Sequence, residues 1–283
     1  MGGILVGVGF VTVFLWVMIY SFVGWVYEST LCSITGRKPV NRGFLNGPIC
    51  PIYGFGAVAT VFFLQSSAEG NVVVLFVAGA VLTCTLEYIT SWAMEKLFQT
   101  RWWDYSHFKF NINGRVCLEG ALAFGFMAVL LLKLFHPIVA GLVEKIPRLW
   151  QNILFVLLLT AVSADTFVTI RSILSLNDKL GEIQAAINLE KKKNEQRLER
   201  LRISIAERNA ELKELLEEHS LVINQPLINK FESSEFYSER ISRLPQQRKY
   251  NERRLLKAFP RMQSVKNGDA LLSLKNKIKN NKK

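Results

Sequence analysis

Compact signatures of chemistry are missing from this sequence. No G-x-x-x-x-G-K-[ST] phosphate loop occurs, so the chain offers ATP no seat of that type. The only histidines are His107, His136 and His219, and no H-E-x-x-H is present. Neither a Ser-His-Asp set nor a zincin site is readable, and any catalysis would rest on carboxylates alone. Cys32, Cys50, Cys84 and Cys117 are scattered without a C-x-x-C pair and read as isolated packing thiols. No metal and no cofactor are expected. Basic residues are also absent before Arg37. The apolar start therefore lacks the basic flank of a secretory signal, and its apolar length exceeds a signal core.

What the chain has in quantity is apolar length. Five stretches of about 20 residues, the length a bilayer span requires, run near Ile4–Tyr27, Gly47–Gln65, Val72–Trp92, Val116–Phe135 and Leu149–Ile170. So many within 170 residues leave too little polar surface for a soluble fold. The net charge of +12 is unevenly placed: +2 over residues 1–170 and +10 over residues 171–283. The reading is an all-α polytopic membrane protein with about five transmembrane helices: a transmembrane domain over 1–175, an amphipathic helix or coiled coil over 176–226, and a basic, partly disordered tail over 227–283. Arg37, Lys38 and Arg42 follow the first stretch; Lys96, Arg101, Lys109 and Arg115 follow the third. Loop charge thus places the N-terminus outside and the tail in the cytoplasm. Lys133, Lys145 and Arg148, between the fourth and fifth stretches, oppose this.

Acidic residues beside apolar spans are costly and need partners. Ser21, Trp25, Glu28 and Cys32 share one helical face, as do Thr83, Glu87, Ser91 and Glu95. Arg115 and Glu119 lie one turn apart, and Asp165 sits in the fifth stretch with Thr169 one turn on. Either these groups lock the bundle as ion pairs, or they line a polar cavity for an ion, headgroup or solute. Gly43, Gly47, Pro48, Pro51 and Gly54 oppose a regular helix leading into and through the start of the second stretch, while their apolar neighbours oppose a solvated loop. A tight turn and a broken, re-entrant segment both fit; the second requires burial against protein or water. Trp25, Trp102, Trp103 and Tyr105 suit the headgroup level, and an arginine beside such rings could hold an anionic headgroup.

Several of these residues fall in an ordered series. Gly24-Trp25-x-x-Glu28 is followed by Asn41-Arg42-Gly43-Phe44-Leu45-x-Gly47-Pro48-x-x-Pro51-x-Tyr53-Gly54-x-Gly56, then Leu86-Glu87-Tyr88 with Glu95. Next come Trp102-Trp103-Asp104-Tyr105-Ser106 and Asn111-x-Asn113-Gly114-Arg115 with Glu119. Over roughly residues 10–135 this series resembles the ABC-transporter type IV family, the CmpB-like membrane proteins. The resemblance implies a permease-like, multi-pass protein of a bacterial plasma membrane. Its recurrent polar positions map onto Glu28, Asn41, Arg42, Glu87, Glu95, Asp104, Asn111, Arg115 and Glu119, the candidate substrate-binding residues. An ATPase would be a separate subunit.

Beyond residue 178 the pattern changes. Ile187, Leu201 and Leu215 share one heptad position, with Leu198, Ile205 and Leu212 at its partner. This predicts a coiled coil joining copies of the chain, or one amphipathic helix on the bilayer, ended by Asn224-Gln225-Pro226. Basic clusters at Arg248-Lys249, Arg253-Arg254 and Lys275 to Lys283 suit anionic lipid. No recognition motif accompanies them for nucleic acid, and the last dozen residues are expected to lack structure. Three functions compete: a permease subunit moving a small solute or lipid; a membrane enzyme or binding protein acting on an anionic headgroup at the inner leaflet; and a scaffold or sensor with a coiled-coil tail. The first is preferred, which makes an enzyme the less favoured reading.

Overall fold

The computed structural model describes residues 9–67, 70–218 and 250–280. The chain divides into two compact units, residues 1–177 with 249–266 and residues 178–248 with 267–283. In the first unit α1 (Phe10–Gly36) is followed by α2 (Pro51–Leu64) and α3 (Val72–Phe98). A short polar connection then carries β1 (Thr100–Arg101), β2 (Asn111–Ile112) and β3 (Val116–Cys117). It leads into α4 (Leu118–Leu130), a π-helical turn (Leu131–Phe135) and α5 (His136–Glu144). Helix α6 (Arg148–Glu218) runs 71 residues and contributes to both units. After it come α7 (Tyr250–Ala258), β4 (Gln263–Ser264) and α8 (Gly268–Asn280).

Among the described residues four helical stretches are long and apolar enough to cross a membrane: Phe10–Gly36, Val72–Phe98, Leu118–Glu144 and the first part of α6. Most of their apolar surface faces outward, including Val73, Val77, Val81 and Val156. The second stretch is shorter than expected. Pro51 is the first residue of α2 and presets its φ. Its 14 residues rise about 21 Å, less than the ~30 Å of a hydrocarbon core. The fourth stretch is longer than expected, running to Glu144 through the π turn. Pro137 has no N–H to give to a carbonyl one turn back, and the His136 N–H reaches Leu131 O instead. Lys133 therefore lies within this helix and not in the connection to α6.

Small residues set the helix contacts. A Cβ at Gly54 would collide with Ser21 and Val17 of α1, and one at Gly24 with the Tyr53 ring. Between α3 and α4, a Cβ at Gly79 would strike Ala128, and one at Gly125 would lie 2.8 Å from Phe76 O. Close approach of this kind replaces the hydrophobic drive that lipid removes. Leu15, Trp16, Val58, Val61, Leu75 and Val143 fill the core between these helices.

In the second unit, Leu180, Ile183 and Ile187 of α6 and Ala270, Leu271 and Leu274 of α8 are buried. The Ala270 N–H donates to Gln184 Oε1 at 3.0 Å, and Lys191 Nζ meets Asp269 Oδ2 at 2.7 Å. The last dozen residues were expected to lack structure; α8 is helical through Asn280, because its apolar side is buried and its first turn is tied to α6. Leu198, Leu201 and Ile205 of the heptad pattern are exposed. Residues 1–8, Glu69, His219, the Asn224-Gln225-Pro226 stop and the Arg248-Lys249 cluster lie outside the described residues, as do the side chains of Leu212 and Leu215.

Candidate functional site

The polar residues of the first unit gather where α1 and α3 end and α2 and α4 begin. Three interlocked sets occupy this end. The first is the segment 37–50, which is not helical. It starts at Arg37, whose left-handed backbone closes α1 through hydrogen bonds to Ile34 O and Ser33 O. It then re-enters the bundle, because the Cys50 N–H donates to Ser21 O at 2.9 Å, near the middle of α1. The α1 face read from the sequence serves as its rail. Trp25 Nε1 donates to Asn41 Oδ1 at 2.6 Å, the Arg42 N–H to Ser29 Oγ at 3.0 Å, and Tyr53 Oη to Glu28 Oε1 at 2.7 Å. Arg42 Nε lies 3.5 Å from Glu28 Oε2. The Cys50 thiol donates to Arg42 O at 3.0 Å.

The second set is the floor of this segment. Asp165 of α6 accepts from the Asn46 N–H at 3.0 Å, Asn46 Nδ2 at 2.8 Å and the Gly47 N–H at 2.7 Å. Backbone donors that no helix could satisfy thus end on one carboxylate, which resolves the cost of irregular backbone inside a bundle. Beside it lies an apolar crevice of about 640 Å³, walled by Met18, Phe22, Pro48, Leu158 and Val162, with Asp165 among its lining residues.

The third set belongs to the connection between α3 and α4. Glu95 Oε2 lies 3.0 Å from both Arg101 Nε and Arg115 Nη2. Arg115, 7% exposed, also donates to Ser91 Oγ at 3.2 Å. Tyr105 Oη donates to the buried Glu87 at 3.1 Å. Asn113 and Gly114 both take positive φ, 54° and 65°, at the tip of the β2–β3 hairpin. Asn-Gly suits such a turn, and a Cβ at Gly114 would sit 2.7 Å from Asp104 Oδ1. Asn111 Oδ1 accepts from the Gly114 N–H at 2.9 Å, and Trp103 Nε1 donates to Arg115 O at 3.1 Å. Burial raises the Asp104 carboxyl, but the N–H and hydroxyl of Ser106, with Arg101 and Gln263, outweigh it and hold the group below its ordinary value.

Residues 250–266 pack against all of this. Arg254 reaches Gly43 O at 2.8 Å, Phe44 O at 2.9 Å and Asn46 Oδ1 at 3.1 Å. Arg42 answers in the other direction, donating to Ala258 O and lying 4.7 Å from the centre of the Phe259 ring. Phe259 meets Trp102 edge-on at 5.0 Å. Ser264 and Gln263 pair with Thr100 and Arg101, and Gln263 Nε2 donates to Asp104 at 2.9 Å. Leu255, Leu256, Phe259 and Met262 are buried, contributing about 1.5–3 kcal/mol each.

Glu28, Asn41, Arg42, Glu87, Glu95, Asp104, Asn111 and Arg115 thus all sit at this end, divided between the two loops. Glu119 is exposed at the start of α4, beside Cys117. Asn46, Tyr53 and Ser91 join the site through Asp165, Glu28 and Arg115, partners on other elements that local spacing does not reveal. Arg254 stood only within a basic cluster, and a contact across 208 residues leaves no mark on spacing. Among the described residues no three His, Cys, Asp or Glu side chains group as a metal site.

The family described as Putative ABC-transporter type IV matches residues 15–170, more than half of the chain. The chain belongs to this family. The matched region spans α1 through the membrane-length part of α6 and holds all three polar sets; residues 250–266 lie outside it. No curated protein and no solved structure matches the chain. Family membership and four membrane-length helices together make this a membrane protein of ABC-transporter type.

Proposed function

We propose that the chain is a permease-like membrane subunit that moves a small solute or lipid, powered by an ATPase on a separate chain. The carrying observation is the irregular segment 37–50, which enters the helix bundle and is held there by backbone donors on Asp165. Broken backbone at this depth is the usual material of a transport site. The crevice beside Asp165 is apolar over most of its wall and favours an amphiphile over a sugar or free ion. Positive charge at the loop end, from Arg37, Lys38, Lys96 and Lys109 among others, supports a cytoplasmic position for that end in a bacterial plasma membrane. Glu28, Arg42, Glu95 and Arg115 act in this reading as the fixed walls of the site and Asp165 as its hinge.

The test begins with the full chain purified from native membranes in mild detergent. A nucleotidase should accompany it, and the reconstituted complex should show ATP-dependent lipid or solute movement that Asp165→Asn slows at least tenfold. Absence of both nucleotidase and movement would sink the transport reading. A scaffold is the second reading, favoured by exposed Leu198, Leu201 and Ile205 on α6, an apolar strip suited to a coiled coil between copies. It expects Leu198→Glu with Ile205→Glu to abolish self-association without changing movement.

A further inference from the structure

Arg254 uses all three guanidinium nitrogens. Nε meets Asn46 Oδ1, Nη1 meets Gly43 O and Nη2 meets Phe44 O, at 2.8–3.1 Å. The residue is only 6% exposed. Three acceptors set at the angles of a planar fork form a site selective for guanidinium, since an ammonium presents its donors from a single point. The cradle is also built without help from Arg254. Asn46 is fixed by Asp165 through its N–H and Nδ2, and its carbonyl accepts from Asn41 Nδ2 at 2.9 Å. Asn41 is held by Trp25, and the Arg42 N–H is held by Ser29. Loop carbonyls aimed at one point before any ligand arrives are what a receptor site needs.

The segment that fills the cradle buries Leu255, Leu256, Phe259 and Met262. Its outer part, beyond Phe259, is attached through a two-residue ladder and through exposed contacts, Gln263 to Asp104 at 2.9 Å and Arg261 to His107 at 2.8 Å among them. Its seating also has a cost. Trp102 is 3% exposed beneath Phe259, and its Nε1–H finds no acceptor among the described residues. A buried donor without a partner favours departure of the group that encloses it.

We propose that Gly43 O, Phe44 O and Asn46 Oδ1 form a guanidinium-binding site on the membrane unit, and that residues 250–266 fill it as a detachable internal ligand. When the segment leaves, the site accepts another arginine-bearing peptide, and Arg42, Trp102 and the edge of β1 become open together. The seated form is then a self-blocked state of the loop end. This inference requires no transport activity, so it stands or falls apart from the permease reading.

The experiment uses the full chain in detergent micelles and a synthetic peptide of residues 250–266. Hydrogen exchange across the chain reports seating. In Arg254→Ala, exchange within 250–266 should rise at least tenfold while the amides of α1 and α3 keep their protection. The added wild-type peptide, carrying a fluorescent label, should then bind that variant saturably by anisotropy, and a peptide carrying Arg254→Lys should bind at least tenfold more weakly. Equal binding of the two peptides would reduce the cradle to a general cation patch and overturn the proposal. Unchanged exchange in Arg254→Ala would overturn it as well. If Arg254→Ala loses its helical fold, the wild-type chain serves: excess labelled peptide should exchange into it with loss of protection in the internal segment. Failure to incorporate would show that the segment does not detach.

Discussion

The two loops at the polar end are held by different chemistry. Segment 37–50 enters the bundle and hangs by its main chain, with the N–H groups of Asn46 and Gly47 on Asp165 and that of Cys50 on Ser21 O. The connection 99–117 folds as its own hairpin and is held by side chains, with Glu95 between Arg101 and Arg115. Loss of one carboxylate should therefore be far more damaging in the first case. Backbone donors inside a bundle have no alternative acceptor, whereas Arg101 can turn to water.

Asp165→Ala is the sharpest test of that contrast. It strands the N–H groups of Asn46 and Gly47, while Asn46 Nδ2 keeps Thr169 Oγ1 at 3.0 Å, and buried donors left without partners cost about 1–3 kcal/mol each. The expected loss is roughly 3–5 kcal/mol in chemical denaturation in micelles, with exchange opening first at residues 43–50. A loss below ~2 kcal/mol would mean that water already reaches the segment. Glu95→Gln comes next. Breaking a buried pair costs about 3–5 kcal/mol, but Glu95 and Arg101 keep 18% and 26% side-chain exposure. Solvent screening lowers the expectation to about 2–3 kcal/mol, with exchange rising in 99–117 and not in 37–50.

The same contrast decides what could be read without coordinates. Glu28, Glu87 and Glu95 were legible because helical spacing places them on faces, and an acid beside a span demands a partner. Gly47, Pro48 and Pro51 announced broken backbone for the same local reason. Asp165 was visible as an acid, but its task was not, since its partners are main-chain groups 118 residues away. The hairpin at Asn113-Gly114 carried a legible turn signal that the flanking polar residues masked. The span lengths differ where proline acts: α2 begins only at Pro51, and Pro137 follows a π turn without ending its helix. The seating of Arg254 was beyond any pattern, because 250–266 has the composition of a solvated basic tail.

Gly54→Ala probes the packing beneath the first loop. The new methyl would press on Ser21 and Val17, and overpacking of this kind costs about 1–3 kcal/mol. Pushing α2 away from α1 also moves Tyr53 from Glu28. Exchange should rise in 37–50 while 99–117 stays protected, and equal opening of both loops would show that they share one support.

The smallest effect expected is the pH response of the second loop. Asp104 lies outside the spans, and its folded carboxyl is held below its ordinary value by Ser106, Arg101 and Gln263, against the opposing effect of burial. A depressed acid contributes stability above its unfolded value, near 3.9, and that contribution disappears as pH falls through the lower folded value. Protection of residues 104–114 should therefore be level from pH 7 to about 5 and decline only below ~4. Because the group is largely solvated, the decline should be shallow, and Asp104→Asn should remove it. The first loop, whose hold on residues 46 and 47 comes from Asp165, should not follow the Asp104 substitution at all.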